Sequence, residues 1–136
     1  MGQSIAVNIH QVSKTFGTFR AVKDVSLQLR EGEFFSLLGP SGCGKSTLLR
    51  MIAGFEEPSA GEINIDGRDM EGVEANHRPT NMVFQSYAIF PHMNVAENIT
   101  FGLARSGLSR SEKVTKAEAM LDKVGLSGLG QRKAHE

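Results

Sequence analysis

The segment Gly39-Pro40-Ser41-Gly42-Cys43-Gly44-Lys45-Ser46-Thr47 constrains this chain more than any other stretch. It fits G-x-x-x-x-G-K-[ST], the phosphate-binding P-loop. Gly39, Gly42 and Gly44 lack a Cβ, so the loop can adopt unusual dihedrals and close around a phosphate. Backbone N–H groups in such a loop form an anion-binding nest. Lys45 supplies a mobile charge for β- and γ-phosphates, and the Ser46 hydroxyl can ligate Mg²⁺. Thr47 opens a helix whose positive dipole end faces the same anion.

The flanks suit the motif. Phe34-Phe35-Ser36-Leu37-Leu38 is an apolar run of the kind found in strands buried on both faces. Ser46 to Ala53 predicts a helix carrying Leu48, Leu49, Met51 and Ile52, stopped by Gly54. A glycine-rich turn that merely contained a lysine would need neither flank.

Charge and cysteine usage narrow the classes. The 15 Lys+Arg balance the 15 Asp+Glu, so no broad basic surface for nucleic acid is expected. Cys43 is the single cysteine of 136 residues, which excludes an internal disulfide and suits a reducing compartment. No apolar run approaches bilayer length, and the N-terminus shows no secretory pattern. Met1-Gly2 is followed by Ala6 where myristoylation requires Ser or Thr. The expected compartment is the cytosol. His10, His77, His92 and His135 lack metal-ligand spacing.

Ile5, Val7 and Ile9 alternate with polar or small residues, and Val25, Leu27 and Leu29 alternate again beyond a turn near Gly17. Glu62 to Gly67 reads as a strand closed by an Asp-Gly turn. Asn81-Met82-Val83-Phe84 reads as a buried strand ending at Gln85. After Pro91 the pattern turns helical. Asn94 to Glu97 is a capping box with Asn in first position, and Ser109 to Glu112 is a full one. Val114, Ala117, Leu121 and Val124 then share a helical face ending at Gly125.

A P-loop alone does not separate kinases, GTPases and transport ATPases. The segment Met82 to Ile99, MVFQSYAIFPHMNVAENI, resembles the Q-loop region of ABC transporter ATPase subunits. "GTFRAVKDVSLQL", Gly17 to Leu29, resembles their antiparallel entry strands, and Leu38 to Arg50 their Walker A segment. The resemblance covers nearly the whole chain. Its nearest branch comprises importers of spermidine/putrescine, iron, sulfate and sugars, and "HRPTNMVFQSYAIFPHMNVAENITFGL" is most similar to the polyamine members.

The resemblance implies an α/β P-loop NTPase core with an N-terminal antiparallel β subdomain and the start of a helical subdomain, the central sheet being incomplete. Residues 1–93 would form the β and P-loop part up to the Q-loop, and residues 94–136 the start of the helical part. It implies ATP and Mg²⁺ as cofactors, with Phe16 stacking on adenine. Lys45 and Gln85 would serve catalysis, and Ser46 and Gln85 would ligate Mg²⁺. Tyr87, Ile89, Phe90 and His92 form an aromatic and apolar patch, read either as packing under the helical part or as a socket for a membrane subunit. The implied partners are transmembrane permease subunits and a second ATPase subunit, with no nucleic acid. The place would be peripheral, on the cytoplasmic face of the inner or plasma membrane.

In the family, the Leu-Ser-Gly-Gly-Gln signature would come next after Glu136. Leu126 to Gln131 has the wrong glycine spacing and lies at a turn after a helix. Walker B, the D-loop and the switch histidine are also absent. The expectation is therefore an ATP-binding subunit coupling hydrolysis to import, of which this chain alone binds nucleotide without efficient hydrolysis. The alternatives are a non-transport P-loop ATPase and an inactive truncated nucleotide-binding fragment.

Overall fold

A computed structural model describes residues 4–84 and 89–133. The chain divides into two compact units, 1–82 and 83–136.

The first unit is built on a long hairpin. β1 (Ile5–Phe16) and β2 (Phe19–Arg30) pair antiparallel from Ile5 opposite Arg30 to Phe16 opposite Phe19. Gly17, at φ 56°, and Thr18 form the two-residue turn. β3 (Ala60–Ile65) pairs antiparallel with β1, and the short β4 (Arg68–Asp69) pairs with β3, giving the order β2-β1-β3-β4. Asp66 and Gly67, both at positive φ, make the expected Asp-Gly turn.

One helix covers this sheet. α1 (Lys45–Ala53) buries Leu48 and Met51 against Ile9, Val12, Val22, Ile63, Ile65 and Met70. Gly54 ends α1 in the left-handed conformation, at φ 83°. Its amide and that of Phe55 turn back to the carbonyls of Met51 and Arg50, at 3.3 and 2.9 Å. This is the Schellman pattern, which satisfies carbonyls that the helix itself leaves open.

Two expected strands do not form. Residues 34–38 carry no strand, with Phe34 94% and Leu38 93% exposed. Residues 81–84 carry none either, and Val83 is 84% exposed. An apolar run becomes a buried strand only when neighbouring strands take its backbone N–H and C=O groups. Neither segment belongs to the four-stranded sheet of the described residues.

The second unit is helical. α2 (Val95–Thr100) opens with the capping box: the Glu97 amide donates to Asn94 Oδ1 at 2.8 Å, and the Asn94 amide donates to Glu97 Oε2 at 2.9 Å. Its next amides, Val95 and Ala96, donate to the carbonyls of Arg132 and Gly130 at 2.9 and 2.8 Å. A single 3-10 turn (Phe101–Leu103) follows. α3 (Arg110–Lys123) begins with the Ser109/Glu112 capping box, and it buries Ala117 and Leu121. Val114 and Val124 of the same predicted stripe are 38% and 63% exposed. The Leu126 amide closes on the Leu121 carbonyl at 2.8 Å, and residues 126–131 form turns. Among the described residues no helix is long and apolar enough to cross a membrane.

Candidate functional site

Residues 39–44 form the loop, and Lys45, Ser46 and Thr47 the first turn of α1. Gly44 precedes the helix at φ 94°, in left-handed backbone that side chains disfavour. Tertiary contact also demands glycine there. A Cβ on Gly44 would lie 2.4 Å from the Ala21 carbonyl oxygen and 3.1 Å from Val22 Cγ2. The loop is thus seated directly on β2. Gly42 also takes positive φ, at 80°, with open space around it.

Lys45 folds back over the loop it follows. Its Nζ donates to the carbonyls of Gly39 and Pro40 at 2.7 and 2.8 Å, and lies 3.2 Å from Cys43 Sγ. That ammonium hydrogen bond holds the exposed Cys43 thiol below the usual thiol pKa. Ser46 is exposed and Thr47 half-buried. The loop therefore presents a cation, a free hydroxyl and glycine backbone at the start of a helix, which is a donor set suited to phosphate oxygens.

Phe16 ends β1 at the tip of the hairpin and is 44% exposed. Val22, against which Gly44 packs, is paired with Lys14, two residues before Phe16. The ring and the loop thus occupy the same end of one hairpin. Lys14 Nζ lies over the Phe16 ring, 4.9 Å from its centroid.

Gln85 and Tyr87 lie outside the described residues. Ile89 is 50% exposed, and His92 is exposed. Phe90 is half-buried, with its ring 4.3 Å from Phe101 and 6.0 Å from His92. Asn98 holds the backbone here. Its Oδ1 accepts from the Phe90 amide at 2.9 Å, and its Nδ2 donates to the carbonyls of Phe90, Met93 and Asn94.

Two residues supporting the site escaped the sequence reading. Lys14 sits two positions before Phe16 on one strand, a spacing that could have flagged it. Arg78 is 8% exposed, and its guanidinium donates to the carbonyls of Met51, Ile52, Met70 and Val73. Burial pulls its pKa down, against the opposing charge of Glu57. No local pattern announces this arginine, because its partners come from α1 and from the segment after β4.

Comparison with known proteins agrees with this geometry. The sequence pattern described as "ABC transporter" matches residues 22–136. The spermidine/putrescine import ATP-binding protein PotA of Rubrobacter xylanophilus is 55% identical over 97% of this chain, which spans 35% of that protein. The Fe(3+) ions import ATP-binding protein FbpC of Agrobacterium fabrum is 51% identical over 93% of the chain, again spanning 36% of the relative. Among solved structures, the dimeric post-hydrolysis state of the ATP-binding cassette MJ0796 bound to ADP and Pi has a TM-score of 0.81. It is 29% identical, and the match covers 95% of this chain and 62% of that one. With a glycine loop seated on an antiparallel hairpin and a family match over residues 22–136, this chain belongs to the ABC transporter family and matches part of the fold of an ATP-binding cassette.

Proposed function

We propose that this chain binds Mg-ATP through residues 39–47 and is the nucleotide-binding portion of an ABC importer subunit of the polyamine type. The observation that carries the reading is Lys45, whose Nζ is held by the Gly39 and Pro40 carbonyls at the start of α1. Those neutral acceptors release the ammonium readily to a phosphate, whose full negative charge makes the stronger bond. The glycine loop Gly39, Pro40, Ser41, Gly42, Cys43 and Gly44 surrounds the phosphates, while Ser46 and Thr47 supply hydroxyls. Ser46 would hold Mg²⁺ through its hydroxyl oxygen, with phosphate and water supplying most of the remaining ligands of this hard cation. Phe16 stacks on the adenine.

Bound ATP supplies the phosphoryl group whose transfer to water drives the transport cycle. Gln85 would orient that water and would be a second protein ligand of the Mg²⁺. This chain carries no Walker B carboxylates, so on its own it binds nucleotide and turns it over negligibly. Tyr87, Ile89, Phe90 and His92 dock the transmembrane permease subunits, and a second ATPase subunit completes the nucleotide sandwich. The names of the spermidine/putrescine relatives support polyamine as the solute. The dimeric cassette supports the second subunit. The protein works at the cytoplasmic face of the membrane.

Thermal unfolding with and without Mg-ATP tests the core of this reading. At a hundredfold excess over Kd, wild type should gain about 2.7 kcal/mol, and Lys45→Ala should gain little. Identical melts for the two proteins, with and without nucleotide, would overturn it. ATP turnover matching that of an intact relative, and abolished by Lys45→Ala, would overturn the inactivity of the isolated chain. Copurification with permease subunits checks the transport assignment.

A further inference from the structure

Lys14 makes three contacts at once. Its Nζ pairs with Glu56 Oε2 at 3.0 Å, donates to the Glu57 carbonyl at 2.7 Å, and lies over the Phe16 ring at 4.9 Å from the centroid. Its side chain is only 14% exposed. Glu56 and Glu57 belong to the loop that leaves α1, the helix bearing Lys45 and Ser46. Two further bonds fasten the same junction: the Ser59 amide donates to the Ser13 carbonyl at 2.8 Å, and the Thr15 amide to Ser59 Oγ at 3.1 Å.

We propose that Lys14 is the positioning residue for the nucleobase. It fixes the Phe16 ring by committing one face to an anchored ammonium, leaving the other face for adenine. An exposed phenylalanine at a hairpin tip would otherwise sample several rotamers, and ordering it on binding would cost affinity. A cation over the ring face removes that freedom beforehand, and partial desolvation strengthens the attraction. Because the ammonium is anchored to the loop after α1, Lys14 also ties the base-reading ring to the helix that holds the phosphates. The inference rests on the reading that Phe16 stacks on the base.

The test compares two ligands that share phosphates and differ in the base. Mg-ATP and Mg-tripolyphosphate are titrated by calorimetry into the full chain and its variants. Lys14→Met should weaken ATP about two- to tenfold, the range expected for ordering one side chain, and leave tripolyphosphate unchanged. Lys14→Arg, which keeps the cation, should restore ATP binding to within about twofold. Unchanged ATP affinity in Lys14→Met, or an equal loss for both ligands, would overturn the inference.

Glu56→Gln keeps the ammonium but removes its charged anchor, and it serves where Lys14→Met does not fold. It should show a smaller loss confined to ATP, and no loss would overturn the inference. Phe16→Ala separates the two levels. If it leaves ATP binding unchanged, the stacking reading has failed. If it weakens ATP while Lys14→Met does not, stacking stands and only the role of Lys14 has failed.

Discussion

Arg78 Nη1 donates to the Met51 carbonyl at 2.9 Å, so a side chain 27 residues downstream helps to close the end of the P-loop helix. Met51 O already accepts the Gly54 amide, and Arg78 adds bonds to Ile52, Met70 and Val73. Gly54 makes room for it, since a Cβ there would lie 2.6 Å from Arg78 Nε. The helix that begins with Lys45 is therefore held at its far end by a buried cation that also grips the segment after β4.

Replacing that cation should be costly. Arg78→Met removes a donor from four carbonyls, of which Met51 and Met70 keep a backbone donor, and should destabilise the first unit by about 2–4 kcal/mol. Arg78→Lys should recover only part, because an ammonium lacks the planar fork that reaches several carbonyls at once. Urea unfolding followed by circular dichroism measures both. A loss below about 0.5 kcal/mol for Arg78→Met, the level of an ordinary surface substitution, would contradict this account.

Gly42 and Gly44 offer a matched pair. Both have positive φ, but only Gly44 abuts β2. Gly42→Ala should cost about 1–2 kcal/mol, the backbone penalty alone. Gly44→Ala adds a clash with the Ala21 carbonyl and should cost about 2–5 kcal/mol. Thermal unfolding without nucleotide reads the difference. Equal costs would mean that the loop does not rest on the hairpin as described.

Cys43 should report on Lys45 through pH. The ammonium hydrogen bond favours the thiolate, so the thiol pKa is lowered in the folded chain. Alkylation by iodoacetamide, which needs the thiolate, should then rise through its midpoint at lower pH than for an ordinary thiol. Lys45→Ala should move that midpoint upward and slow alkylation at neutral pH. An unchanged profile in the variant would show that the ammonium does not govern Cys43.

What could be read from the sequence was what neighbouring residues decide. Both capping boxes, the stops at Gly54 and Gly125, and the Asp66-Gly67 turn depend on a few adjacent positions, and they form as expected. The hairpin was legible because alternation survives in β1 and β2 despite their register shifts. Residues 34–38 and 81–84 were misread because apolar content signals a buried strand without supplying its neighbours. Arg78 and the Lys14 anchor stayed hidden for the complementary reason, since each acts through contacts with residues distant in sequence. The P-loop itself was plain, but its seating on Ala21 and Val22 was not.

Asn98 gives the sharpest test in the second unit. Its side chain uses both ends: Oδ1 accepts from the Phe90 amide, and Nδ2 faces the Phe90, Met93 and Asn94 carbonyls at 3.1, 3.3 and 3.0 Å. Asn98→Asp keeps the size and the acceptor but turns the donor into a second acceptor, set against three carbonyls. Asn98→Ala removes both ends without adding repulsion. The aspartate variant should therefore lose at least as much stability as the alanine variant, about 1–3 kcal/mol. The Phe90 amide loses its acceptor in Asn98→Ala and should lose protection. In Asn98→Asp the acceptor stays but the repelled carbonyls loosen the segment. Lowering the pH should there raise the protection factor, corrected for the intrinsic rate, because a protonated carboxyl regains a donor. Amide hydrogen exchange followed residue by residue measures this. Protection at Phe90 that survives both substitutions would mean that packing against Phe101, rather than Asn98, fixes the segment that carries Ile89, Phe90 and His92.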